Sequence, residues 1–192
     1  VLIEDCGRSE HRGWGRNEWG NVLFSDESRF SVEPDNRRVF IWRECGTRNN
    51  PMFVRERSQY HGGGLMVWAG ISIGGRTELH IIRNGSLTAL RYRDEILQPL
   101  VLPYAGAIGD SFLFMDDNAR PHRARLVDEM LEAEGIARMK WPACSPDLNP
   151  IEHAWDMLGR RIAARPVPPT TIPELEVALL DEWHNIPQQL ID

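Results

Sequence analysis

The hydrophobic pattern changes period several times along the chain, and each change predicts an element. Val22, Phe24, Asp26, Ser28 and Phe30 share one face at period two, which predicts a strand over Gly20–Phe30, extendable through Ser31-Val32. Glu33-Pro34-Asp35-Asn36 is a turn cluster, and Arg38–Trp42 reads as a second strand pairing antiparallel through it. Residues 44–64 carry little periodicity and form a loop of about twenty residues, a length that usually goes with a function. Leu65–Ile73 reads as a buried third strand, and Gly74-Gly75 turns it into a fourth, Thr77–Ile82.

Helical spacing follows. Leu90, Ile96, Leu97 and Leu100 supply an apolar stripe for a helix over Ser86–Leu102, capped by Ser86 or Thr88 and kinked in its last turn by Pro99. Ser111–Met115, apolar after its serine, reads as a strand covered on both faces. A helix over Arg123–Glu134 stops at Gly135, and Ile136–Trp141 is a short strand. Ser145–Pro150 is a rigid loop; Ile151–Ala164 is a helix with Ile151, Trp155, Leu158 and Ile162 on one side. A proline-rich linker over Pro166–Pro173 leads to a last amphipathic helix, Glu174–Trp183. A meander feeding into alternating helices and strands predicts an α/β fold, a mixed sheet with helices on its faces.

Composition narrows the class. The 192 residues are 42% hydrophobic and 26% charged, a globular balance. Leu65–Ile73, the longest apolar run, is far short of the roughly 18 residues a membrane span needs. Acidic and basic residues break any signal-peptide pattern near Val1, so a soluble intracellular protein without membrane association is expected. Cys6, Cys45 and Cys144 form no CxxC pair, which argues against a disulfide framework or a zinc ribbon. A net charge of −6 does not suggest a simple nucleic-acid binder. Of the 22 basic residues only Lys140 is lysine; an arginine bias suits bidentate phosphate contacts, and GC-rich coding gives the same bias. The start at Val1 and the stop at Asp192 read as the cut ends of a longer chain.

The candidate chemistry lies in carboxylates placed where strands end and a helix starts. Asp26 follows an apolar strand run, Asp117 ends the most hydrophobic strand, and Glu152 lies in the first turn of a helix. In open α/β sheets ligands collect beyond the carboxyl ends of strands. Three carboxylates converging from separate elements would suit hard cations such as Mg²⁺. Each also has an ordinary reading: Asp26 as a strand-end residue, Asp116-Asp117-Asn118 as a turn and helix entry, and Glu152 as the capping-box partner of an Asn149 cap, with Pro150 at N1. His122 and His153 follow the second and third acids closely and could orient carboxylates or contact phosphate, or be packing or solvent histidines. The clusters Arg120, Arg123, Arg125 and Arg160, Arg161, Arg165 are phosphate contacts or solvated helix faces.

Three segments, in order, resemble the catalytic domain of Tc-one/mariner transposases: Val22–Phe30 with Ser25-Asp26-Glu27 at its centre, Asp117-Asn118-Ala119-Arg120-Pro121-His122, and Ser145–Trp155 with Asn149-Pro150-Ile151-Glu152. Gly62–Ser72 continues the match, which covers roughly residues 17–190. Thirty-four residues separate Asp117 from Glu152, and glutamate as the third acid resembles the Tc-one branch.

The resemblance implies a ribonuclease-H-like fold, with residues 1–16 a linker remnant, 17–165 a DDE catalytic domain, and 166–192 the proline-rich linker and C-terminal helix. Asp26, Asp117 and Glu152 would hold two Mg²⁺ ions, Mn²⁺ substituting, for DNA cleavage and strand transfer at transposon ends and a TA target. Asn118, His122, His153, Arg120 and Arg123 would orient those carboxylates or contact DNA. The loop at 44–64 occupies the place of a clamp on a partner subunit, so a homodimer, acting in the nucleus, is expected. Relatives also carry N-terminal helix-turn-helix modules, which would supply the basic, sequence-specific part. Asp116 competes with Asp117 for the second position; alternation would turn it to the opposite face. Competing functions are an inactive or domesticated DNA- or protein-binding remnant, and a glycosidase with paired carboxylates and no metal requirement.

Overall fold

The structure, a computed structural model, describes residues 13–32, 63–141, 145 and 148–192. The second strand expected at 38–42, all of the 44–64 loop but Gly63 and Gly64, and the three cysteines lie outside these residues.

Among the described residues six strands form one mixed sheet: β1 (Val22–Ser31), β2 (Gly64–Ser72), β3 (Gly75–Arg76), β4 (His80–Ile82), β5 (Leu113–Met115) and β6 (Ala137–Arg138). Their order is β3-β2-β1-β5-β6, with β4 paired to β2. β1 runs antiparallel to β2 and parallel to β5, and β6 is parallel to β5. The antiparallel side followed by parallel strands matches the expected mixed sheet. The fourth strand does not run unbroken over 77–82. The Thr77 hydroxyl is drawn onto the Gly70 amide at 2.9 Å, and the chain pairs with β2 again only from His80.

Alternation along the strands sorts side chains into two cores. Val22, Phe24, Val67, Ala69, Ile71 and Met115 face helices α5 (Ile151–Ala163) and α6 (Ile172–His184). Leu23, Trp68 and Phe114 face the opposite way, onto the helical run 89–108 and α4 (Arg125–Ala133). Helices therefore cover both faces. Close contact has a requirement at Gly70, where a Cβ would fall 2.8 Å from Leu23 Cδ1.

The first long helix departs from its expected bounds. Thr88 caps it, its hydroxyl accepting from the Arg91 amide, and the run continues past Leu102 to Ile108. Between α2 (Ala89–Arg91) and α3 (Leu102–Ile108) it winds as a wider π-type helix over Tyr92–Val101, with Pro99 inside. Proline brings no N–H and clashes with the carbonyl a turn earlier, so a wider winding absorbs it where a kink was expected. Gly135, at φ +67°, ends α4 as expected.

The C-terminal segment packs into the core. Leu175, Ala178, Leu179 and Trp183 of α6 are buried in the same core as α5 and β2, and the Trp183 indole donates to the Thr77 carbonyl at 3.0 Å. The short helix α1 (Arg16–Trp19) closes the N-terminal side, Trp19 stacking on Phe24.

Candidate active site

The site forms where β5 ends against the middle of β1; Asp26, expected at a strand end, lies mid-strand because β1 continues through Ser31 on its pairing with β2. The register of β1 and β5 pairs Phe24 with Met115, and Ser25 Oγ donates to the Met115 carbonyl at 2.8 Å. β5 stops at Met115, and Asp117 lies two residues past its end, while β1 carries on through Asp26. Asp26 leaves β1 on the face shared with Val22 and Phe24, towards α5.

Asn149 fastens α5 to this point. Its amide donates to the Ser25 carbonyl at 3.2 Å, while its Oδ1 accepts from the Ile151 amide at 3.4 Å, so one side chain caps the helix and ties it to β1. Glu152 is exposed in the first turn, and Trp155, three residues on, donates its indole N–H to Asp26 Oδ2 at 3.3 Å. Glu152, 126 residues from Asp26 in sequence, is thereby brought near enough for its charge to act on Asp26. Burial, then the nearby charges of Glu27 and Glu152, push the Asp26 carboxyl up to about 7.

The two adjacent acids Asp116 and Asp117 have different surroundings. Asp116 is 1% exposed and lies against Arg123, at 2.9 Å, and Arg138, at 3.6 Å. Burial holds its carboxyl above the ordinary range despite the two arginines. Asp117, with its side chain 44% exposed, accepts at one oxygen, Oδ1, from the Ala119 amide at 2.8 Å and from His122 Nδ1 at 2.6 Å. The His122 bond, then the Ala119 amide, hold Asp117 below the ordinary range against its partial burial.

His122 is 3% exposed, stacks on Tyr92 at 4.2 Å between ring centres, and presents its other nitrogen to Glu27 Oε1 at 3.2 Å. Burial alone would lower it, but the bonds to Asp117 and Glu27 overcome this and raise it to about 10. The ring is a buried cation between two carboxylates.

The remaining expected residues divide. Asn118 bridges the loop to the end of β6, donating to the Trp141 carbonyl at 3.0 Å and accepting from Arg123 Nε at 3.1 Å. Arg123 bonds both Asp116 and Asn118 and is 33% exposed. Arg120 and His153 are exposed. Of the second arginine cluster, Arg160 pairs with Asp156, while Arg161 and Arg165 bond Glu182 at 2.8 and 2.9 Å and so join α5 to α6. Sequence reasoning missed Glu27, Tyr92, Arg138 and Trp155. For Glu27 a signal existed: it follows Asp26 on a strand and so must face the other side of the sheet.

Among the described residues no group of three or more His, Cys, Asp or Glu side chains is placed to hold a metal ion. The donor chemistry nonetheless fits a hard divalent cation. The acids are oxygen donors only, and burial, then the charges of Glu27 and Glu152, raise the proton affinity of Asp26.

The family description DDE superfamily endonuclease matches residues 21–171. The chain belongs to this family. This DDE domain is 32% identical over 183 residues to the Tcb2 transposase of Caenorhabditis briggsae, covering 95% of this chain and 66% of that protein. It is likewise 32% identical over 170 residues to the Tc3 transposase of Caenorhabditis elegans, covering 88% and 50%. Its fold matches a pre-cleavage Mos1 transpososome with a TM-score of 0.67 at 16% identity, covering 92% of this chain and 52% of that one. The Mos1 mariner catalytic domain alone matches at 0.59 and 17%, covering 90% and 74%. The DDE domain is therefore similar in sequence to the Tcb2 and Tc3 transposases and shares the ribonuclease-H-like fold of the Mos1 catalytic domain, and it spans between half and two-thirds of the length of these two curated relatives.

Proposed function

We propose that this domain performs metal-dependent DNA cleavage and strand transfer, with Asp26, Asp117 and Glu152 as its catalytic acids. The observation that carries the reading is that the charge of Glu152, in the first turn of α5, acts on Asp26 in mid-β1, next to the strand β5 that leads into Asp117. These three side chains would hold two Mg²⁺ ions, with Mn²⁺ able to replace them. Bound there, the ions would supply Lewis-acid activation of a water or a 3′-hydroxyl and stabilise the leaving oxygen.

The chain's own residues do the rest. Trp155 orients Asp26 through its indole N–H, and Asn149 fixes the start of α5, hence the place of Glu152. Ala119 and His122 together occupy Asp117 Oδ1, leaving Oδ2 as the oxygen to face a cation. Asp116, locked under two arginines, is the structural member of the acid pair. Arg120 and His153, both exposed, are placed to meet DNA.

Solved Mos1 complexes with a transposon end and with Mn or Mg support the same reading of partner and cofactor here. Transposon ends and a TA target would be the DNA, a homodimer the working assembly and the nucleus its place. The intact acids favour this over an inactive or domesticated remnant. The test is nicking of element-end DNA by the full-length parent protein: cleavage in Mg²⁺ or Mn²⁺, abolished by Asp117→Ala, supports the proposal. No cleavage with either ion overturns it.

A further inference from the structure

Asp26 and Glu27 are consecutive on β1, so their side chains leave opposite faces of the sheet. Asp26 meets Trp155 of α5 on one side. Glu27, 16% exposed, passes to the other and takes the Nε2 side of His122, whose Nδ1 side holds Asp117. Carboxylates accept, so the ring donates from both nitrogens and acts as a rigid strut about one imidazole wide between two acids. Tyr92, fully buried, backs the ring face and blocks its rotation out of line. Adjacent residues of β1 thus place two of the three acids: Asp26 is itself one, and Glu27 sets the position of another, Asp117, across the strand boundary.

We infer that Glu27 is a positioning residue for the metal-binding acids, acting through His122 to hold the Asp117 carboxylate in place. The inference rests on the reading of Asp117 as a metal-holding acid. Outer partners of this kind typically contribute about 10–100-fold to metal affinity.

Two substitutions separate geometry from charge. Glu27→Asp keeps the charge but withdraws the carboxylate by one carbon–carbon bond, out of reach of His122. Glu27→Gln drops the charge but keeps an oxygen at the same reach. Mn²⁺ binding to the full chain is measured by calorimetry, with thermal melting as the check on folding. Positioning predicts about tenfold weaker binding for E27D and a smaller loss for E27Q. Binding by E27D equal to wild type, or E27Q the weaker of the two, overturns the inference, because charge alone would then explain the effect. Should E27D fail to fold, Glu27→Met replaces it. E27M and E27Q are both neutral and differ in whether they can accept from His122, so equal binding by these two likewise overturns the inference. Absence of Mn²⁺ binding by wild-type protein is a different result: it removes the metal-site reading on which the inference stands, and the inference with it.

Discussion

Asp116 and Asp117 are neighbours of the same residue type, and the structure gives them opposite tasks that two substitutions can separate. Breaking a buried ion pair by removing one partner costs about 3–5 kcal/mol. Here the loss is smaller, because the partners Arg123 and Arg138 are 33% and 20% exposed. Each also keeps another bond, Arg123 to Asn118 at 3.1 Å and Arg138 to the His122 carbonyl at 3.1 Å. Asp116→Ala should therefore cost about 2–3 kcal/mol, taking the transfer penalty of the stranded arginines as partly relieved by water. At about 2–4 °C per kcal/mol for a domain of this size, its melting temperature should fall roughly 5–10 °C. Asp116→Asn should cost only about 1 kcal/mol, since it removes the charge that burial disfavours while keeping a hydrogen-bonding side chain. Asp117→Asn, at a half-exposed position, should leave the fold in place yet lose Mn²⁺ binding and DNA nicking. Thermal melts at pH 7 and Mn²⁺ calorimetry on the three variants read both sides. Loss of Mn²⁺ binding in folded Asp116→Asn, with binding retained in Asp117→Asn, would refute the assignment.

Other perturbations follow from the same geometry. The folded-state affinity of His122 for a proton lies above its unfolded value of 6.5, at about 10, so its stabilisation is fully present below pH 6.5 and is lost as pH rises through about 10. Urea melts of wild type and His122→Gln should accordingly converge between those limits; a gap that widens with pH would contradict the buried cation. Asp26 is shifted the other way, from 3.8 to about 7, so its ionisation opposes folding above pH 3.8 until a cation arrives. Asp26→Asn should therefore melt higher than wild type at pH 8 without metal, and Mg²⁺ at a hundred times its dissociation constant should stabilise only the wild type, by about 2.7 kcal/mol. Leu179→Ala, at a position 0% exposed in α6, should cost about 2–5 kcal/mol in chemical denaturation. A negligible cost would show that α6 is not part of the core.

Periodicity alone settled much about this protein. Val22–Ser31, Gly64–Ser72, Arg125–Ala133 and Ile151–Ala163 are elements whose apolar spacing is decided locally, by which face must leave water, and the structure repeats them within a few residues of the expected bounds. The three acids stood out as candidates because a carboxylate after an apolar run or in a helix's first turn contrasts with its neighbours, although Asp26 lies in the middle of β1 and not at its end, and the motifs resembled the family that the chain belongs to. What the chain could not disclose is what those neighbours become once distant segments meet. Nothing in Asp116-Asp117 says which acid is buried; Arg123 and Arg138 decide it, one from the loop before α4 and one from β6. Nothing in Pro166–Pro173 says that the helix beyond it packs on α5 and β2 instead of standing apart. Glu27 and His122 lie 95 residues apart and act as one unit only because β1 and β5 are parallel neighbours. Charge, burial and bond partners depend on distances of a few ångströms between segments remote in sequence, and only the folded sheet sets those distances.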